Sequence, residues 1–541
     1  MKSFAKYILP AATVLVAMGI SSCSSDLDID PIDPNQKFEQ NITPEELMNK
    51  CYANFAKGGQ GDADDNTDFT ANDGGTTGFV RQVFNCENLT TDEAICAWGD
   101  NGIAGWNSTM PEASNPMLTM LYNRMEVGIA YCNQYINNFG SYNPAMTAEA
   151  RFLRAYEYWV MLDVFGNPPF TTAISNATPQ QISRKDLFAW LVNELKDIEP
   201  TLNDPAPKTD SQEGYGRVDK AADWQLLARL YLNSEVYTGV QKYDSARIYA
   251  KKVIDSPYKL YTTAKNGWSA YQQLFMGDNG SNGSSVEALF PIIQNGSTTR
   301  SYGCTRFLIN GSTNNSEMMN SDGKSVGTNS DDQWSGNRAR PQLIEKFFDN
   351  TDVTKDLHAY QMPAAAGDDR AIFEANGRKI TNDDQKTFTD GYAVCKWNNW
   401  RTDGGQRSDD KFVDTDYFLM RSAESYLILA EADARLNGGR TTAEGTKAID
   451  ALLNRANDKK LVKASYNLDD ICDEWSREFY WEGLRRPTLI RFGRFGGNSD
   501  YTWSWKGGVL SGRNVDSHYN LFPLPQDDLN ANRNLKQNPG Y

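Results

Sequence analysis

The chain has 541 residues, of which 40% are hydrophobic, and a formal net charge of −16. That apolar content fills a large core, while a surface this acidic repels phosphate backbones and anionic headgroups, so nucleic-acid binding is disfavoured. Two histidines and scattered cysteines with no CxxC pair argue against a zinc centre and against a Ser-His-Asp triad.

Residues 1–22 read as a secretory signal. Lys2 and Lys6 precede an apolar run from Ile8 to Met18 that Pro10 interrupts. The run is shorter than the ~20 residues a membrane-spanning helix needs. Its end, Ile20-Ser21-Ser22-Cys23, resembles a lipobox, which implies lipidation at Cys23 and anchorage to a membrane. Residues 23–42 follow as an acidic tether. Seven cysteines remain beyond Cys23. An odd number is a poor disulfide framework, so buried thiols are expected, with a Cys86–Cys96 bridge as the alternative.

A first helix is predicted over Thr43 to Lys57, with Thr43 and Glu46 at capping-box spacing. Gly58 to Thr77 is loop. Asp73 to Trp106 is too rich in Gly, Thr and Asn for a long helix, and it reads as one wall of a binding surface carried on loop. Pro116 to Phe139 and Ala148 to Phe165 are helical. In the second, Phe152, Ala155, Tyr156, Trp159 and Val160 recur at the spacing of one buried face. Helices are also predicted over Arg184 to Leu202, Ala221 to Asn233, Tyr243 to Ile254, Asp416 to Leu436 and Thr442 to Ala456. Two of these pairs have the form of tetratricopeptide hairpins. Hairpins of this kind bury their faces only by stacking.

The expected fold class is therefore mainly α. Stacked tetratricopeptide-like hairpins make a frame, chiefly 43–58, 116–255 and 416–491. The loop-rich regions 59–115 and 256–415 carry the ligand, with short strands at Glu287 to Ile293 and Tyr392 to Trp397. Residues 43–541 are read as one domain. Binding residues concentrate on loops that a rigid frame supports.

Four segments carry a family resemblance: RFLRAYEYWVMLDVFGNPPF at 151–170, LMRSAESYLILAEADARLNGG at 419–439, EWSREFYWEGLRRPTLIRFG at 474–493 and FPLPQDDLNANRNLKQNPGY at 522–541. Together they resemble the SusD/RagB family of outer-membrane lipoproteins. The resemblance implies a non-catalytic protein that binds glycans at the cell surface and hands them to a SusC-type TonB-dependent transporter. NCENLTTDEAICAWGDN at 85–101 is similar to the ligand-site segment of the starch-binding branch. Motif by motif, that implies aromatic partners Trp98, Tyr302 and Trp334, polar partners Asp73, Arg81 and Asn101, and starch or malto-oligosaccharides as ligand. Cys96 stands where that branch has a second tryptophan.

The chemistry of these residue types agrees. A glucose ring has an apolar C–H face that an indole or phenol can cover. A guanidinium forks hydrogen bonds to neighbouring hydroxyls, and an amide both donates and accepts. Asp92-Glu93 could suggest the carboxylate pair of a glycosidase, but adjacent residues in extended chain point to opposite faces, so a cap or surface role is expected. No cofactor is required. A structural Ca²⁺ at Asp278 and Glu287, within MGDNGSNGSSVE at 276–287, is the one metal site considered, although the spacing departs from an EF-hand.

Overall fold

The computed structural model describes residues 42–71, 73–314, 317, 319–328 and 333–541. The signal segment, Cys23 and the tether up to residue 41 lie outside the described residues. The chain divides after Leu47 into two units. In the first, Thr43 and Glu46 make the expected reciprocal cap: Glu46 N–H donates to Thr43 Oγ1 at 3.2 Å, and Thr43 N–H to Glu46 Oε2 at 2.8 Å. Helix α1 is Pro44–Ala56.

In the second unit the frame consists of α3 (Pro116–Phe139), α4 (Pro144–Val164), α5 (Arg184–Ile198), α6 (Lys220–Leu232), α7 (Tyr243–Asp255), α9 (Ala423–Leu436), α10 (Ala443–Arg455) and α11 (Leu468–Phe479), with α2 (Phe79–Glu87) and α8 (Thr305–Asn310) towards the binding region. Short polar side chains start these helices. Asn115 and Asn143 accept from the first amides of α3 and α4, each followed by proline at the first helical position. Asp219, Thr442 and Asn467 do the same for α6, α10 and α11. Successive hairpins stack: α3 on α4, α4 on α5, α6 on α7, α7 on α9, and α9 on α10 and α11. The cores of α4, α6 and α9 are nearly all buried, so each of these helices is covered from several sides.

Two antiparallel ladders tie the loop-rich part to this frame. β2 (Ala288–Ile292) pairs with β4 (Tyr417–Arg421), closing the long insert at its base. β1 (Ala94–Cys96) pairs with β3 (Asn337–Ala339), with Cys96 opposite Asn337. All four sheets among the described residues have two strands.

Two expectations are corrected, and the expectation of buried thiols holds. Arg81 lies on the nine-residue helix α2 and not on loop, because Phe79, Val80 and Phe84 give that stretch a buried face. The helix expected from Asp416 is strand β4 up to Arg421, and the helix starts at Ala423. Its sequence YFLMR is buried on both sides, a pattern that periodicity cannot separate from helix. Cys86 and Cys96 are free and buried, as are the other five described cysteines. Among the described residues no helix is long and apolar enough to cross a membrane.

A knot of buried charge joins α10, α11, β4 and the turn that leads into β2. The Arg421 guanidinium donates to Glu287, Glu478 and Glu482 at 2.6–2.9 Å. Arg455 pairs with Glu287 and Glu478, Arg370 with Asp368, Glu474 and Glu478, and Lys396 with Glu482 at 2.6 Å. Burial pushes the Glu478 carboxyl up, but Arg455, Arg421 and Arg370 overcome it and hold the pKa well below the usual carboxylate range. Removing one partner from such a knot strands the others in low dielectric.

Candidate functional site

Five of the six predicted ligand residues converge. Asp73 caps the turn Gly74–Thr77, accepting from Gly75 N–H at 2.9 Å, with most of its carboxylate exposed. Its Oδ2 lies 3.6 Å from an Arg81 nitrogen. The Arg81 guanidinium faces the Trp98 ring at 5.5 Å and the Phe307 ring at 5.3 Å. Trp98 meets Phe307 edge-on, with centroids 6.0 Å apart, and abuts Gly336. Tyr302 and Trp334 lie 6.3 Å apart with their planes 31° from parallel. Tyr302 in turn packs on Gly75, two residues past Asp73. The contacts therefore run in a closed circuit through residues that lie up to 261 positions apart in the chain. Asn101 stands exposed on the loop three residues beyond Trp98.

Two glycines permit this closure. A Cβ on Gly75 would sit 2.6 Å from Tyr302 Cβ, and one on Gly336 would sit 2.2 Å from Trp98 Nε1. Gly336 also has φ +107, and Ser335 beside it has φ 56. At Ser335 the left-handed conformation is strained, and strain of this kind persists only where the surroundings enforce it. Ala97 N–H donates to Gly336 O at 2.9 Å, and Trp334 N–H to Asn310 O at 2.7 Å, locking that stretch.

The rings stand on a cation. Arg306 on α8 is 0% exposed, and its guanidinium lies 4.5 Å from the Tyr302 centroid, 4.6 Å from Phe412 and 5.3 Å from Trp334. A desolvated guanidinium against aromatic faces contributes roughly 2 kcal/mol per favourable contact. Tyr302 meets Phe412 edge-on at 5.1 Å. Arg306, Phe307 and Phe412 are absent from the sequence reading. Phe307 belongs to the apolar run of α8 and is legible from it, whereas Arg306 carries no such mark. Phe412 sits in an Asp-rich loop without periodic signal.

Arg81 is only loosely paired, its ion pair being the 3.6 Å approach to Asp73. It is buried, with Nε lacking a hydrogen-bond partner. Burial pulls its pKa down, against the pull of Asp73 and Asp100. It remains charged, and its nitrogens have hydrogen-bonding capacity left for a hydroxyl-bearing ligand. Half-exposed rings at an angle, a guanidinium and an exposed amide can cover sugar faces and bind sugar rims. Cys96 adds nothing to that surface. It is 1% exposed, and burial pushes its thiol up to about 12.

The remaining candidates have other roles. Asp92 and Glu93 are neither caps nor surface residues. Both are buried: Arg485 grips Asp92 with two bonds of 2.7 Å, and Lys346 adds one of 2.9 Å. Glu93 accepts from Asn88, Ser476 and the Trp481 amide. Burial lifts Glu93 to about 7, whereas at Asp92 burial is overcome by Arg485 and Lys346 and the pKa falls far below normal. Sealed from solvent, they cannot flank a glycosidic bond. The calcium expectation fares likewise. Asp278 accepts from the Thr402 amide and hydroxyl, and Glu287 belongs to the charged knot with Arg421 and Arg455. Carboxylates whose oxygens face N–H donors and guanidinium groups do not fit a Ca²⁺ shell.

Comparison with known proteins agrees with this architecture. The model of the SusD family matches residues 242–541. The starch-binding protein SusD of Bacteroides thetaiotaomicron is 38% identical over 577 aligned positions, covering 99% of each chain. Among solved structures, a surface glycan-binding protein A from Bacteroides thetaiotaomicron in complex with laminarihexaose superposes with a TM-score of 0.63 at 18% identity, over 92% of this chain and 98% of that one. A SusD superfamily protein from the same species gives 0.65 at 16% identity, over 92% and 100%. A family model spanning more than half the chain and a relative of this identity over its full length place the protein: it belongs to the SusD family.

Proposed function

We propose that this protein is a non-catalytic, cell-surface binder of α-glucans, starch and malto-oligosaccharides, that delivers them to a SusC-type TonB-dependent transporter in the outer membrane. Asp73, Arg81, Trp98, Asn101, Tyr302 and Trp334 contact the ligand, and lipid on Cys23 anchors the chain. The observation that carries the reading is the pair of rings, Tyr302 and Trp334, inclined by 31° with Trp98 alongside. Amylose coils, so rings set at an angle follow its curvature, whereas a flat row suits straight chains. The identity to a starch-binding protein supports the same ligand, and membership of the family supports the transporter and the outer membrane. Sugar hydroxyls give up water on binding, so dissociation constants of roughly micromolar to millimolar are expected.

The test is calorimetry and native affinity electrophoresis with amylopectin, α-cyclodextrin and laminarin. Wild type should be retarded by the first two, and Trp98→Ala should lose at least ~tenfold in affinity, about 1.4 kcal/mol. Equal binding by Trp98→Ala would move the site elsewhere. Retardation by laminarin and not by amylopectin would replace the α-glucan with a β-glucan. Sugar release from starch by the purified protein would overturn the non-catalytic assignment.

A further inference from the structure

Asp64 lies in the acidic loop Asp62-Ala63-Asp64-Asp65, yet it is 1% exposed. Its backbone is left-handed at φ 67, as are Ala63 at 49 and Asn66 at 52. Three such residues within four positions are strained backbone, which persists only where the surroundings hold it. The carboxylate does so. Oδ1 accepts from Gly58 N–H at 2.8 Å. Oδ2 accepts from the Tyr302 amide at 2.7 Å and from Ser301 Oγ–H at 3.0 Å. Ser301 Oγ in turn accepts from Gly303 N–H at 3.0 Å. The Asp64 carbonyl packs under Gly74, where an added Cβ would lie 2.1 Å away, and Gly74 follows Asp73. From the opposite side the buried Arg124 clamps the same loop, donating to Gly58 O at 2.7 Å, Thr77 O at 2.8 Å and Asp68 Oδ2 at 2.7 Å.

We infer that Asp64 is a positioning residue of the binding site. It touches no ligand. Through the Tyr302 amide and Ser301 it fixes where the Tyr302 ring stands against Trp334, and through Gly74 it sets that ring beside Asp73. The curvature the arc accepts is thus set by a carboxylate 238 positions before Tyr302 in the sequence. The inference rests on the α-glucan reading only for its consequence in binding; the latch itself is a property of the free protein. An ionised acceptor that serves two amides and a hydroxyl from two loops is stronger and more directional than a neutral one.

Asp64→Asn tests it. Asparagine keeps the size and tolerates the left-handed backbone, but one acceptor oxygen becomes a donor and cannot serve both Gly58 and Tyr302. In the free protein, hydrogen exchange at the Tyr302 and Gly303 amides should accelerate roughly tenfold or more, since a charged hydrogen bond is lost. Unchanged exchange would overturn the proposal whatever the ligand. With maltoheptaose, Asp64→Asn should weaken binding several-fold in the wild-type background and have no further effect in Tyr302→Ala. Additive losses would show that Asp64 acts by another route and overturn it as well. Absence of maltoheptaose binding by wild type would remove the α-glucan reading and leave the exchange result to judge Asp64. Should Asp64→Asn fail to fold, Ser301→Ala removes a single partner of the carboxylate. Faster exchange at the Tyr302 amide, which the carboxylate itself holds, is then expected, and unchanged exchange there overturns the latch.

Discussion

The charged knot and the aromatic arc are built from the same residue types and use them in opposite ways. In the knot, Arg421 makes charged hydrogen bonds to three carboxylates and one carbonyl, all within 2.9 Å. In the arc, Arg81 has a single carboxylate at 3.6 Å, and that carboxylate is mostly exposed. Arg421 spends its hydrogen-bonding capacity inside the fold. The arc leaves capacity unspent, at a cost in desolvation, and places it beside half-exposed rings. A fully satisfied polar cluster specifies structure, and a partly satisfied one at a surface is available to a ligand.

Paired substitutions should separate the two regions. Arg421→Ala strands Glu287, Glu478 and Glu482 in the core. A loss of about 3–5 kcal/mol is expected, read as a lower urea midpoint or as failure to accumulate folded protein. A loss below about 1 kcal/mol would mean that the knot rearranges and the contrast fails. Arg81→Ala should do the reverse. Its long pairing to an exposed Asp73 contributes little to stability, roughly 0–1 kcal/mol. If Arg81 donates to sugar hydroxyls as proposed, its loss should cost about 1.5–3 kcal/mol, a fall in affinity of roughly ten- to a hundredfold by calorimetry. A large drop in stability with intact binding would assign Arg81 to the frame.

The smallest effect concerns pH. The folded pKa of Glu93 is raised to about 7 from an ordinary 4.5, chiefly by burial. A raised group contributes stability that is complete below its unfolded pKa and is lost as pH rises through its folded one. Glu478 is depressed, so its contribution is complete above the ordinary carboxylate range and disappears only in acid. Between pH 5 and 7 wild type should therefore lose stability on account of Glu93, and Glu93→Gln should flatten that slope in urea midpoints. An unaltered slope would show that Glu93 stays ionised in its core site.

Much of the frame was legible before folding was considered. Asn-Pro at 115–116 and 143–144, and the apolar spacing from Phe152 to Val160, announce α3 and α4 because both signals are local. Strand β4 was not legible. YFLMR is buried on both faces, and only its ladder to Ala288–Ile292 makes it a strand. The site divides the same way. Trp98, Tyr302 and Trp334 could be named from motif resemblance, but Arg306 beneath them and Phe412 beside them could not, since a buried arginine and an isolated phenylalanine carry no periodic mark. Asp92 and Glu93 looked like surface residues for the same reason: their partner Arg485 lies almost 400 positions away.

The amino-acid order by itself determined the helical frame, the acidic surface that disfavours nucleic acid, and the residue types able to bind a sugar. Those follow from local propensity and composition. Which carboxylates are structural, which guanidinium is left for a ligand, and how far apart Tyr302 and Trp334 stand were decided only when distant segments packed. The β1–β3 ladder, the Gly75–Tyr302 and Gly336–Trp98 approaches and the Asp64 latch are long-range contacts, and their energies depend on burial that no local stretch of sequence contains.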